Sequence, residues 1–158
     1  MKKALVIAGV VATAACGSDL SMHCSMNVTV NGGPQQTVSC FAAGAFSPGT
    51  GNAVSIAMDG TLAGINVAQF AMTLPSAPTI RTYSTAADVS AAAGQVQTTN
   101  ATYLQNSGGP IGIFSVVLTS VDSASANGQT AYFIHGSATI TLAGQSGAPG
   151  TATITATF

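Results

Sequence analysis

Residues 151–158 read Thr-Ala-Thr-Ile-Thr-Ala-Thr-Phe, and the alternation runs without a fault. Ala152, Ile154, Ala156 and Phe158 share one face, while Thr151, Thr153, Thr155 and Thr157 share the other. A period of two belongs to a β-strand. A threonine face backing a small apolar face predicts a sheet that is wet on one side and buried on the other.

The same pattern extends upstream. Residues 130–142 predict a long strand bent at Gly136, and residues 111–121 another. Residues 123–128 turn between them, with Asn127-Gly128 at the end of the turn. Residues 144–150 are loop. Residues 95–105 read as a polar strand or a pair of strands, and residues 86–93 as one short turn of helix. Residues 80–84 predict a short edge strand, because Pro75 and Pro78 lie close by. Residues 65–74 put Phe70, Met72 and Leu74 on one face. Residues 53–58 form a strand, and Asp59-Gly60 predicts a two-residue hairpin turn with a return strand starting at Thr61.

Near the start, residues 26–30 and 36–42 alternate around Asn31-Gly32-Gly33, a turn sequence. A hairpin centred on Gly32 puts Cys24 opposite Cys40. A disulfide there closes a short loop and contributes about 2–4 kcal/mol. A bridge between non-adjacent strands is the alternative.

Composition supports a folded sheet protein. Of the 158 residues, 47% are hydrophobic, only 6% aromatic and 4% charged, with no Trp and no Glu. Disordered chains carry more charge and less apolar surface. Thr, Gly and small β-formers in place of Glu, Lys and Leu disfavour helices. Short strands with a turn about every ten residues predict an all-β, antiparallel β-sandwich of immunoglobulin-like form, with a small β-barrel as the second choice. The expected organisation is a leader at 1–15, a tether at 16–25 and a single domain at 26–158.

The leader has a basic Met1-Lys2-Lys3, then the apolar run ALVIAGVVA at 4–12, of signal-peptide length. Thr13-Ala14-Ala15-Cys16 follows. It resembles the lipobox of bacterial lipoproteins, although Thr13 stands where Leu is usual. The resemblance implies export, cleavage before Cys16 and a diacylglyceryl group on its sulfur. Cleavage without lipidation is the plainer alternative, but it leaves an odd thiol. Residues 17–22 then form a tether reaching about 20 Å when extended. Gly17 rather than Asp after the anchored Cys points to the outer membrane. The ending, from His135-Gly136 to Ala156-Thr157-Phe158, is similar to that of small bacterial lipoproteins. A final Phe after alternating residues also resembles the closing strand of an outer-membrane barrel, but the aromatic girdles of such barrels are absent.

Chemistry is sparse. After the leader the chain keeps Arg81 against Asp19, Asp59, Asp88 and Asp122. One Arg makes no basic stripe, so nucleic acid is excluded as a partner, as is an electrostatic grip on anionic lipid. Acid–base catalysis needs groups of suitable pKa brought together. His23, His135, the Asp residues and the tyrosines are scattered. A hairpin turning at 123–128 holds Asp122 and His135 apart, and no pocket is expected to hold even two of His135, Asp88, Asp122 and Tyr83 together. His23 beside an oxidised Cys24 makes a poor metal site. Asp59 is accounted for by its turn, and four scattered carboxylates offer calcium at most a weak loop site. No phosphate loop, dinucleotide fingerprint or nucleophile elbow is present. The expectation is a non-catalytic envelope protein without cofactor or metal, monomeric, and joined to the membrane through Cys16. The alternative is an assembly subunit. Fimbrial subunits are likewise exported, disulfide-bonded and rich in Ala, Gly and Thr, and they join by strand addition.

Overall fold

A computed structural model describes residues 24–46, 54–62, 64–85, 87–89, 91–105, 114–126 and 129–158. Ten strands follow in order: β1 (Ser25–Val30), β2 (Gln36–Phe46), β3 (Val54–Leu62), β4 (Ile65–Leu74), β5 (Thr82–Tyr83), β6 (Ala91–Thr98), β7 (Thr102–Gln105), β8 (Phe114–Ala126), β9 (Gln129–Gly144) and β10 (Thr151–Thr157). Every pairing is antiparallel, and the described residues contain no helix. The class is all-β, as the alternation predicts.

All ten strands belong to one sheet. The pairings run β10–β1–β2–β3–β4–β6–β7–β9, and β9 pairs again with β10. The sheet is therefore curled on itself, and the two layers expected of a sandwich are facing walls of one barrel-like sheet. Phe70 on β4 meets Phe114 on β8 across the interior, with ring centroids 6.4 Å apart.

β9 is the spine. β10 occupies one edge of it, from Ser137 to Ala143. The other edge carries β8, with Phe114 opposite Ile140, and then β7, with Leu104 opposite Ala143. β7 and β8 thus lie end to end along β9. β5 covers the outer edge of β8 only at Val116 and Val117, and Leu118 adds one hydrogen bond to the Arg81 carbonyl.

The interior is apolar. Met26 and Val28 of β1 oppose Ala156 and Ile154 of β10, which oppose Ala138 and Ile140 of β9. All six are buried. Ile65, Ala68, Phe70, Met72 and Leu74 line the inner face of β4. Burying each large side chain contributes about 1.5–3 kcal/mol. The threonines of β10 point outward as expected, exposed or half-buried, while Ala152, Ile154 and Ala156 are buried. Apolar residues inside and threonines outside are the reverse of a membrane barrel's lipid-facing pattern.

The Cys24–Cys40 disulfide forms, with Cα atoms 5.3 Å apart. It continues the β1–β2 register, in which Ser25 opposes Ser39 and Met26 opposes Val38. The turn itself is centred half a residue earlier. Asn31 and Gly32 have φ of 52° and 68°, and Gly33 N–H donates to the Val30 carbonyl at 2.9 Å. That is a type I′ turn, matched to strand twist. One extra residue on the β2 side, next to Pro34, restores the cysteine register.

Three expectations need correction. Asp59-Gly60 is not a turn: Asp59 pairs with Gln69 and Gly60 with Ala68 inside β3. The hairpin closes at Leu62 opposite Ile65, where Gly64 takes φ of 87°. Gly60 instead borders a register shift, a bulge. Residues 91–93, read as helical, begin β6 beside β4, with Ala93 opposite Ala71 and Ala92 opposite Met72. The β8–β9 turn is shorter than expected: Ala126 pairs with Gln129, leaving Asn127-Gly128 between them, outside the described residues.

Candidate functional site

The β1–β2, β3–β4, β6–β7 and β9–β10 connections gather at one end of the sheet. Cys24 immediately precedes β1, at the end of that strand remote from these connections, and the β2–β3 and β8–β9 ladders run on past it to Phe46 and Ala126. β1 rises about 3.3 Å per residue, so its six residues separate Cys24 from the loop end by about 20 Å.

The loop end holds an open groove of about 460 Å³, lined by residues 97–102 and 145–149. Each wall is tied by local hydrogen bonds. Thr98 N–H donates to the Ala101 carbonyl at 2.8 Å. Thr98 Oγ1 donates to the same carbonyl and accepts from Ala101 N–H at 3.0 Å. Across the groove, Ala148 N–H donates to the Gln145 carbonyl and Gly144 N–H to the Gly150 carbonyl. Gln145 N–H reaches the Thr102 carbonyl at 2.9 Å and joins the walls. The lining is Thr, Gln, Asn, Ser, Ala, Gly and Pro, with no titratable side chain. Such a surface offers hydroxyls and carboxamides to a neutral polar ligand and has no group to move a proton.

A second polar cluster caps the flank of β8. The Arg81 guanidinium lies 4.3 Å from the centre of the Tyr83 ring, and its Nη1 donates to Asp88 Oδ1 at 2.9 Å. Asp88 Oδ2 accepts from Ser84 N–H, Thr85 N–H and Thr85 Oγ1. The Ser84 amide, then the Thr85 hydroxyl and amide, hold the Asp88 carboxyl down at about 2, and Arg81 adds to the effect. Burial pushes the Tyr83 phenol up, but hydrogen bonds with Thr79 and the neighbouring guanidinium leave it below its ordinary value. Each Asp88 oxygen already has a partner, so the cluster is a clasp that ties residues 79–88 over the sheet.

The residues singled out by sequence fall as follows. Cys16 and His23 lie outside the described residues. Cys24 and Cys40 are joined. His135 is exposed on the outer face. Its register differs from expectation: it opposes Ser120, and Asp122 opposes Phe133. Asp122 is therefore a diagonal neighbour of His135, and it accepts from Ser120 Oγ at 3.4 Å. Tyr83 and Asp88, expected apart, meet at Arg81. That clasp was missed; Arg81 as the chain's one arginine and the Thr85-x-x-Asp88 spacing were its signal. Among the described residues no three His, Cys, Asp or Glu side chains stand close enough to hold a metal ion.

No family model matches the chain, and neither a curated protein nor a solved structure shows significant similarity to it.

Proposed function

We propose that the protein is a lipid-anchored component of the bacterial cell envelope, held at the outer membrane through Cys16, with a non-catalytic binding or structural role. The observation that carries this is the polarity of the sheet. Cys24, eight residues after Cys16, precedes β1, and the uncharged groove lies beyond the far end of that strand. A tether ending at Cys24 turns the loop end away from the bilayer. The disulfide supports an oxidising compartment. Multiple acyl chains, each stabilised by about 0.8 kcal/mol per buried CH₂, hold such a domain firmly.

Intact mass of the membrane-extracted protein tests the anchor. A chain starting at Cys16 with added acyl mass supports it. Cys16→Ser should move the protein out of the membrane fraction. A polypeptide starting at Met1, or membrane retention of the Cys16→Ser variant, sinks it.

A second reading has its own observation. Residues 119–126 of β8 pair with β9 alone among the described residues. An uncovered edge is a template for another strand, which favours an assembly subunit that joins by strand addition.

A further inference from the structure

We infer that the open edge of β8 pairs with the same edge of a second copy of this chain, about a two-fold axis through Ser123. The inference rests on the strand-addition reading and names its partner. Among the described residues, the cover of β8 stops where β5 ends, at Val117 and Leu118. A bulge follows, because Leu118 opposes Gly136 and Ser120 opposes His135, leaving Thr119 as the extra residue. From Ser120 to Ala126 the edge carries one charge, Asp122, with no Lys and no Pro. Those are the usual devices that keep edges apart.

Parity and charge then choose the register. Val121 packs against the core, so Asp122 and Ala124 point outward with the alternation of the strand. A pairing that continues the sheet must set outward residues opposite outward residues, and an identical edge does so about a two-fold axis through a residue. An axis through Asp122 opposes two like charges, which destabilises the pair. An axis through Val121 runs the pairing into the bulge. An axis through Ser123 opposes Asp122 to the partner's Ala124, and Ser120 to the partner's Ala126. This pairing spans the uncovered length and opposes no two charges.

Sedimentation equilibrium of the mature protein, purified from membranes in detergent, tests the pairing. The wild type should show a monomer–dimer equilibrium that stops at two. Ala124→Lys sets an opposite charge against each Asp122 and should tighten the dimer roughly fivefold. Ala124→Glu should loosen it by a similar factor. Ser123→Cys should give a disulfide-linked dimer without reductant, whereas Asp122→Cys should not. Equal dimerisation of the Lys and Glu variants would overturn the inference by placing the contact elsewhere. If all variants stay monomeric, self-pairing is overturned, and amide hydrogen exchange at residues 120–126 tests the strand-addition reading separately. Slow exchange in the native membrane with fast exchange in the purified monomer keeps that reading; fast exchange in both overturns it as well.

Discussion

Asn31 Nδ2 donates to the Tyr103 hydroxyl at 3.1 Å, joining residues 72 positions apart in sequence. Tyr103 is 1% exposed, so its hydroxyl is a buried polar group that needs a partner. Asn31 reaches it because the type I′ turn holds its backbone at positive φ, while its N–H donates to the Thr151 carbonyl at 2.8 Å. One residue therefore pins the first hairpin to β7 through its side chain and to β10 through its backbone. Asn31→Ala should leave the Tyr103 hydroxyl without this donor and strain the turn, lowering unfolding free energy by about 1–3 kcal/mol in urea titration. Asn31→Gly, which keeps the turn, should recover part of that loss.

The Cys24–Cys40 bridge closes a loop over a separation of 16 residues. Replacing both cysteines by serine should cost about 3 kcal/mol. Denaturant melts of oxidised, reduced and double-serine protein check this. Coincident curves for all three would show that the bridge adds nothing to the fold.

Asp88 sets an acid limit on the clasp. Hydrogen bonds from Ser84 and Thr85 hold its carboxyl down at about 2, below the ordinary carboxylate range. A depressed carboxylate contributes stability that is present above the unfolded value and lost as pH falls through the folded one. Melting temperature should fall between about pH 4 and pH 2. In Asp88→Asn the loss should already be present at neutral pH and the acid slope reduced. Hydrogen exchange at Thr85 and Leu118 would report the same loosening locally.

Gly136 is fixed by close approach rather than by φ. It pairs with Phe158 in both directions, at 2.7 and 3.0 Å, and a Cβ there would collide with the Val117 carbonyl at the bulge. Gly136→Ala should destabilise the protein by about 1–3 kcal/mol through overpacking. Gly32→Ala has open space around its Cβ and tests strain at positive φ instead. Chemical denaturation of both separates the two causes.

Much of the fold was legible because period-two alternation is a local property. Residues 151–158 show it in full, and Ile65 to Leu74 show it with buried positions at Ala68, Phe70, Met72 and Leu74. The cysteine pairing was legible because the turn and the two sulfurs fix the same register. Asp59-Gly60 misled because a turn dipeptide is also a good bulge, and only the partner strand decides between them. Residues 91–93 misled because alanine favours helices until a strand such as β4 offers a ladder. The Asp122–His135 register depended on where the turn closes: with Ala126 opposite Gln129, Asp122 meets Phe133 rather than Gln129 and Ser120 meets His135. The groove and the uncovered edge arise from strands distant in sequence, so their geometry waits on the fold, whereas the clasp joins residues at most seven positions apart. Sequence showed the sparse chemistry, but not the end of the sheet that holds the groove.

The strand opened by Cys24 has one neighbour that follows at once, Gln36 to Ser39, and another that comes last, Ala152 to Thr157. As the chain emerges N-terminus first, β1 must wait with half its backbone bonds unmade until the last seven strand residues appear. Early hairpins can form and dissolve, but ring closure belongs to the finished chain. A polypeptide stalled or clipped a few residues short would keep β1 and β9 as raw edges, prone to pairing with the wrong neighbour.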